Sequence, residues 1–140
     1  MIFRHLKGMI FRHLKGQNNI MGTSTDAILV YGIPVAISEH IKNFHDREGL
    51  PKDHPKVLAF GGEAIDGISI VMHCCYEDPM AIVALAETEK TAWRGSPQRI
   101  NTYDMHFLGS SNDNKLKAYC EKYELETEGE PGWWLVSWWG

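Results

Sequence analysis

The sequence predicts a single α+β domain, in which a mostly antiparallel sheet carries two helices packed on it. Three observations predict this class. Short apolar runs with β-branched residues recur along the chain and are typical of buried strands. Two other segments show the apolar spacing of three and four residues that marks amphipathic helices. Turn-forming residues separate these segments, and the resulting order β-α-β-β-β-β-α-β favours an α+β sandwich.

The first strand and the first helix follow one another near the N-terminus. The apolar run at residues 27–35 predicts a buried strand. Ser38 is a suitable N-cap for the following helix, in which Ile41 and Phe44 lie three positions apart on one face. Gly49 is followed by a proline two positions later, so we expect the helix to end there.

Three apolar runs predict strands in the middle of the chain, at residues 57–60, 68–73 and 80–86. The turn-forming segment Tyr76–Pro79 joins the last two runs, which predicts a hairpin. The third run is rich in alanine and is also compatible with a helix.

The C-terminal third predicts a helix between two strands. Residues 99–105, which follow a loop at Arg94–Pro97, predict a strand. A helix is predicted over residues 113–125, because apolar side chains recur there at helical spacing. The acidic segment at 126–130 separates this helix from a final strand at 133–139.

The first eight residues, MIFRHLKG, recur unchanged as residues 9–16. Two short copies are too few for a repeat architecture, which needs at least about three longer units. One interpretation is a duplicated start or an expression leader. The other is a short amphipathic arm that lies on a membrane surface or a partner. We expect residues 1–20 to form a basic leader and linker outside the fold, and residues 21–140 to form the domain.

The charge of the predicted domain restricts its partners. The leader carries four basic residues and no acids, so the remaining chain has ten basic and eighteen acidic residues, a formal charge of −8. A protein that binds the phosphate backbone needs a basic face, so we expect no nucleic-acid partner. An acidic surface suits docking on a basic protein instead.

Cysteine use and hydropathy indicate the compartment. Three cysteines are an odd number and follow no framework spacing, which favours a reducing, cytoplasmic environment over structural disulfides. No apolar run approaches the roughly 18 residues that a membrane helix requires. We therefore expect a soluble chain without a membrane partner, and no motif indicates a cofactor.

His73, Cys74 and Cys75 form the most reactive-looking cluster. On a regular strand His73 and Cys75 would share one face at about 7 Å spacing, whereas Cys74 and Cys75 would point to opposite faces. A Cys–His nucleophile or a metal site is one interpretation, and core packing is the other. Zinc sites usually show CxxC- or HxxxH-type pairs, and neither occurs, so we expect no metal site. His73 and Cys75 remain the only catalytic candidates.

Trp93, Arg94 and Arg99 are candidate ligand-binding residues. A guanidinium beside an aromatic ring can hold a phosphate or carboxylate through two parallel hydrogen bonds. Gly95 would allow a close approach of the backbone to such a ligand. The alternative is that Arg94 stacks on Trp93 or pairs with one of the many acids.

Four tryptophans in the last strand give the strongest interaction signal. Strand alternation places two indoles on each face, one towards the core and one outward. Outward indoles are either covered by the domain's own helix or available to a partner or a second copy, and tryptophan is enriched at binding hot spots. The candidate interaction residues are Trp133, Trp134, Trp138, Trp139, Glu126, Glu128 and Glu130.

Four stretches carry a family resemblance, at residues 21–32, 73–80, 93–97 and 133–135. In this order they resemble a family of small, uncharacterised proteins encoded by bacteriophages and prophages, which open with a similar Met-Gly-Thr…Asp-Ala-Ile…Tyr-Gly stretch. The resemblance implies that Met21 is the native start. It also implies an accessory phage gene acting in the bacterial cytoplasm, for which interference with host machinery or defence is a common role.

Three functions are compatible with the sequence. The leading hypothesis is a non-catalytic phage-type accessory protein that binds and inhibits a host protein, such as a CRISPR effector or another defence component. The second is a binder that sequesters a small ligand or nucleotide signal with Trp93, Arg94 and Arg99. The third is a small enzyme that uses His73 and Cys75.

Overall fold

The computed structural model of the chain describes residues 25–38, 41, 48–59, 63–105 and 110–139. These residues form a five-stranded mixed sheet with mostly antiparallel strands and two helices, which confirms the predicted α+β class. The duplicated octapeptide and most of the predicted first helix lie outside the described residues.

The strands are β1 (Thr25–Val35), β2 (Ile68–Cys75), β3 (Met80–Leu85), β4 (Lys90–Ala92) and β5 (Gly132–Trp139). The helices are α1 (Pro55–Ala59) and α2 (Ser110–Lys122), and short 3-10 helices lie at Ala86–Thr88 and Thr102–Met105. The predicted hairpin between β2 and β3 is confirmed by their antiparallel pairing. Residues 80–85 of the predicted run are therefore a strand and not the alternative helix, and the 3-10 helix begins at Ala86.

The strand predicted at residues 57–60 is wrong, because Pro55–Ala59 forms helix α1. His54 starts this helix, since its ring Nδ1 accepts a hydrogen bond from the backbone N–H of Lys56 at 3.1 Å. Proline at the first helical position costs nothing there, because that N–H would have no partner within the helix. So short an apolar run has too little periodicity to distinguish a strand from a helix.

The strand predicted at residues 99–105 is also wrong. The side-chain oxygen of Asn101 accepts a hydrogen bond from the Tyr103 N–H at 3.0 Å, a local turn that competes with an extended backbone. The second half of the segment accordingly forms a 3-10 helix. The strand that lies beside β1 in this part of the chain is instead the three-residue β4, which the sequence did not predict.

Helix α2 confirms the second predicted helix but ends three residues earlier than expected. Glu124 adopts a left-handed φ of 52°. The Leu125 N–H then donates back to the Cys120 carbonyl at 2.8 Å, as in a Schellman motif. This reversal buries Leu125 beneath the end of the helix, which explains why the apolar pattern continues past it.

Strand β1 connects the whole sheet. One of its edges pairs antiparallel with β5 along Thr25–Gly32. The other edge pairs with β4 through Ala27–Leu29 and then with β3 through Gly32–Val35. Because β3 pairs with β2 and the end of β2 pairs with β5, strands β1, β3, β2 and β5 form a closed ring.

A small gap separates the two ladders on this edge of β1. The Tyr31 N–H lies in the gap and donates to the Thr88 hydroxyl at 2.9 Å. That hydroxyl in turn donates to the Leu85 carbonyl at 2.7 Å, so the 3-10 helix after β3 bridges the gap. The threonine thus replaces a missing ladder partner for a buried donor.

Glycine is required where β1 meets β3. A Cβ atom at Gly32 would collide with the Val83 carbonyl oxygen and would lie 2.7 Å from Ile82 Cγ2. No side chain fits at this distance without moving the β3 backbone. Gly32 therefore permits the close approach that starts the β1–β3 ladder.

The core lies inside the ring and between the ring and the helices. Ile28 and Val30 of β1 are fully buried in the interior, and β2 and β3 are largely buried on both faces. Helix α1 covers β2, and α2 packs on β1 and β3. The Tyr31 hydroxyl donates to Asp113 at 2.7 Å and ties α2 to β1. Within the described residues, no helix is both long and apolar enough to span a membrane.

Replacing Thr88 with valine should lower the free energy of unfolding by about 1–3 kcal/mol, because the buried Tyr31 N–H loses its acceptor. Thr88→Ser keeps the hydroxyl and should lower it by less than about 1 kcal/mol. Chemical denaturation measures both variants. Equal losses would show that the hydroxyl is not the bridge between the ladders.

Candidate functional site

The end of β2 carries an irregularity that the closed ring requires. Interior side chains are even-numbered on β1, and by register also on β3 and β5. On β2 they are odd-numbered, since Ser69 pairs with Ala84 of β3. Yet Cys74 pairs with Trp138, an interior residue of β5. The alternation of β2 must therefore break once, and the left-handed φ of 78° at Cys74 locates the break there.

This break brings two thiols together. The Sγ atoms of Cys74 and Cys75 lie 3.8 Å apart, so the prediction that they point to opposite faces is wrong. The Cys75 thiol in turn donates a hydrogen bond to the Asp78 carbonyl oxygen at 3.7 Å. Both cysteines are partly exposed. The hydrogen bond from Cys74 to Cys75 is the main reason that the pKa of the Cys74 thiol is raised.

His73 precedes the thiol pair but hydrogen-bonds to neither thiol in the described part of the chain. It is buried, and desolvation lowers its pKa, which favours the neutral imidazole. The structure therefore pairs Cys75 with Cys74 and not with His73. Nor do three or more His, Cys, Asp or Glu side chains converge as metal ligands among the described residues.

The tryptophans of β5 divide between two faces, as alternation predicts. Trp138 is 5% exposed inside the ring. Trp134 lies on the same face, where its indole N–H donates to a β1 carbonyl at 3.1 Å. On the outer face Trp133 is half-buried edge-on against the Tyr31 ring, with centroids 5.5 Å apart. Trp139, at 55% exposure, is the outer indole that is most open to solvent.

Leu135 lies on the same outer face of β5 and is 74% exposed. Our reading of the sequence missed this residue, although alternation alone places it with Trp133 and Trp139. We call Leu135 and Trp139 the apolar strip of β5. Two further exposed apolar side chains, Tyr76 and Met80, lie at the neighbouring end of the β2–β3 hairpin.

The acidic segment 126–130 is fixed against the end of β1. The Ala36 N–H donates to the Glu126 carbonyl, and the Glu128 N–H donates to the Pro34 carbonyl, each at 2.8 Å. The glutamate side chains of the segment are exposed. The carboxylate of Glu130 lies 3.6 Å from Nζ of Lys117 in α2. The segment therefore presents negative charge on an ordered backbone beyond the Gly132 end of β5.

Trp93, Arg94 and Arg99 do not share one environment. Trp93 packs against the core, and its carbonyl accepts a hydrogen bond from the Ser96 N–H at 2.8 Å in a tight turn. Gly95 provides the left-handed φ of 80° for this turn. Arg94 and Arg99 are exposed. The glycine is thus explained by the turn, and the two arginines are surface residues.

A polar cluster joins the loop before α1 to the end of α2. The Asp53 carboxylate accepts hydrogen bonds from Lys122 Nζ at 2.7 Å and from the Tyr123 hydroxyl at 2.6 Å. The Asp53 carbonyl accepts the Tyr119 hydroxyl at 2.6 Å, and the ring of His54 contacts that of Tyr123. The sequence signal for this cluster is the four-residue spacing of the two tyrosines, which places them on one helix face.

The cluster is a structural clasp. The hydrogen bonds from Lys122 and Tyr123 lower the pKa of Asp53, so its carboxylate is ionised at neutral pH. Its oxygens are already engaged by these donors. The clasp holds α1 and α2 in place over the sheet.

Comparisons with protein-family models, with curated proteins and with solved structures found no match to the chain. The function is therefore inferred from the described surface. That surface offers the apolar strip of β5, an ordered acidic segment and a partly exposed thiol pair.

Asp53→Asn should weaken the dependence of stability on acid pH. The folded-state pKa of Asp53 lies below its unfolded value, so its stabilisation is present above the unfolded pKa and is lost as pH falls through the folded pKa. Between about pH 5 and pH 2 the wild type should lose roughly 1 kcal/mol more than the variant. Denaturation at a series of pH values measures this difference, with Glu87→Gln as an exposed control. Parallel curves for wild type and Asp53→Asn would contradict the clasp.

Proposed function

We propose that this chain is a non-catalytic accessory protein of the phage type, which binds a host protein and inhibits it. The apolar strip of β5 is the observation that carries the proposal. Leu135 and Trp139 are 74% and 55% exposed, although both lie in a strand held by eight residue pairs with β1. A large apolar side chain on a rigid backbone loses little conformational entropy on binding, so such residues make effective anchors.

The charge of the chain supports a basic partner. Residues 21–140 carry a formal charge of −8. The acidic segment lies beyond the Gly132 end of β5, the end nearer Leu135, and its backbone is held by two hydrogen bonds to the end of β1. Complementary charge accelerates association and excludes other acidic surfaces. We therefore propose a host protein with an apolar pocket that receives the strip and a basic surface that faces the acidic segment beyond the Gly132 end of β5.

The proposal of a phage protein rests on a sequence resemblance. Residues 21–32, 73–80, 93–97 and 133–135 resemble stretches of phage and prophage proteins. Inhibition by occupation of a surface needs no reaction. The same strip could instead pair two copies of this chain, and the experiment separates that outcome from binding to a host protein.

The test uses the tagged full chain for capture from a bacterial lysate, followed by measurement of binding and activity with the purified captured protein. Trp139→Ser and Leu135→Glu are the variants. Tyr103→Ser is the matched control, because Tyr103 is a 79% exposed aromatic outside β5. Substitutions at such exposed positions usually change stability by less than about 0.5 kcal/mol.

We expect each strip variant to bind at least about tenfold more weakly, which corresponds to roughly 1.4 kcal/mol, and to lose inhibition. The Tyr103 variant should bind like the wild type. Equal binding by all variants would contradict the proposal. A wild-type dimer that Leu135→Glu converts to a monomer, with no host protein bound, would assign the strip to self-association and would also overturn it.

The ionic part of the surface is tested separately. Glu126→Gln combined with Glu128→Gln should slow association with the same partner and flatten its dependence on salt, because screening acts on exposed charges. Stopped-flow association rates at a series of salt concentrations measure this effect. An unchanged salt dependence would show that the acidic segment does not face the partner.

A further inference from the structure

We infer that Cys74 and Cys75 form a reversible dithiol–disulfide pair whose reactant is a low-molecular-weight disulfide of the glutathione class. Adjacent side chains on a regular strand point to opposite faces. The left-handed φ of 78° at Cys74 removes that alternation, and the two sulfur atoms lie 3.8 Å apart. This chemistry needs no binding partner and is independent of the proposed function.

The two sulfur atoms have different roles. The Cys74 thiol donates a hydrogen bond to the Cys75 sulfur, and this bond raises the pKa of the Cys74 thiol and keeps it protonated. Thiolates, not thiols, attack disulfides. Cys75 is therefore the attacking residue, and Cys74 is the resolving residue. Both are partly exposed, so a small disulfide can reach them.

The reaction proceeds in two exchange steps. The Cys75 thiolate attacks one sulfur of the small disulfide, forms a mixed disulfide and releases one thiolate of the reagent. Cys74 then loses its proton to solvent and attacks the Cys75 sulfur, which expels the second thiolate of the reagent. In total, the two cysteines lose two protons and two electrons, and the small disulfide is reduced to two thiols.

The resulting disulfide should be easy to reduce. Cα atoms of adjacent residues lie about 3.8 Å apart, shorter than the 4.4–6.8 Å that most disulfides span. The ring that a Cys74–Cys75 disulfide closes is therefore small and strained. Strained disulfides have more oxidising potentials. Proximity still favours ring closure over a second mixed disulfide, because the resolving thiol is held beside its target.

The pair lies where the sheet closes. Cys74 and Cys75 are the β2 residues that pair with Trp138 and Trp139 of β5. Forming the disulfide brings the two sulfur atoms, now 3.8 Å apart, within bonding distance at this junction. We therefore expect oxidation to change the environment of Trp139, which is part of the apolar strip.

Cys120 provides an internal reference thiol. It is 3% exposed in α2, and burial raises the pKa of its thiol to about 11. Neither thiolate formation nor access favours its reaction. The native chain therefore contains one thiol that should stay reduced while the pair reacts.

The experiment treats the reduced, folded full chain with excess oxidised glutathione, then unfolds it, alkylates the remaining thiols and measures intact and peptide masses. The wild type should lose two hydrogens through a Cys74–Cys75 bond, keep no glutathione and leave Cys120 alkylated. Dithiothreitol should restore both thiols. Cys120→Ser should behave like the wild type.

The single variants separate the two roles. Cys74→Ser should stop at a glutathione mixed disulfide on Cys75. Cys74→Gly, which tolerates the left-handed backbone, should do the same and guards against a folding defect in the serine variant. Cys75→Ser should react more slowly than either variant. A wild type that carries two glutathiones, that forms disulfide-linked dimers or that keeps both thiols free would overturn the inference.

Discussion

The double use of one edge of β1 is the constraint on which the sheet depends. That edge pairs with β4 and then with β3, while the opposite edge pairs with β5. Gly32 allows the second ladder to start, and Thr88 satisfies the buried donor between the two ladders. With glycine at position 32 and threonine at position 88, the sheet can close into a ring, and the ring encloses a core built from few residues. The helices then cover what remains apolar on β1, β2 and β3.

Closure has a consequence for the surface. The registers around the ring disagree by one residue, and the disagreement is absorbed at Cys74. The same junction sets the end of β5, whose outer face carries the apolar strip. The thiol pair and the exposed indole of Trp139 thus have a common structural origin. The proposed binding surface and the proposed dithiol pair lie side by side because both depend on how β2 meets β5.

Much of the fold could be predicted from local pattern. The runs that became β1, β2, β3 and β5 are apolar and β-branched, and the stripe of α2 has helical spacing. Two segments predicted as strands form helical turns instead. Each turn starts where a side chain, His54 or Asn101, accepts a backbone hydrogen bond, and hydropathy does not reveal such bonds. Strand β4 has only three residues and is defined by its antiparallel pairing with one edge of β1.

The site was predictable only in part. The alternation of side chains along β5 was enough to place Trp138 and Trp139 on opposite faces of the strand. The same alternation also places Leu135 on the outer face with Trp139. The meeting of Cys74 with Cys75 depends on registers summed around the whole ring, so no local pattern could show it. The Asp53 clasp joins residues about seventy positions apart, so the spacing of Tyr119 and Tyr123 indicates a shared helix face but does not reveal Asp53 as their partner.

The closure of β2 on β5 is tested most directly by nuclear magnetic resonance of the full chain. Short backbone distances between Cys74 and Trp138, together with slow amide exchange at this junction, are the expected result. They would place the thiol pair and the apolar strip on one closed sheet. Rapid exchange at Trp138 and Trp139 without contacts to β2 would contradict the closed ring and the origin of both features.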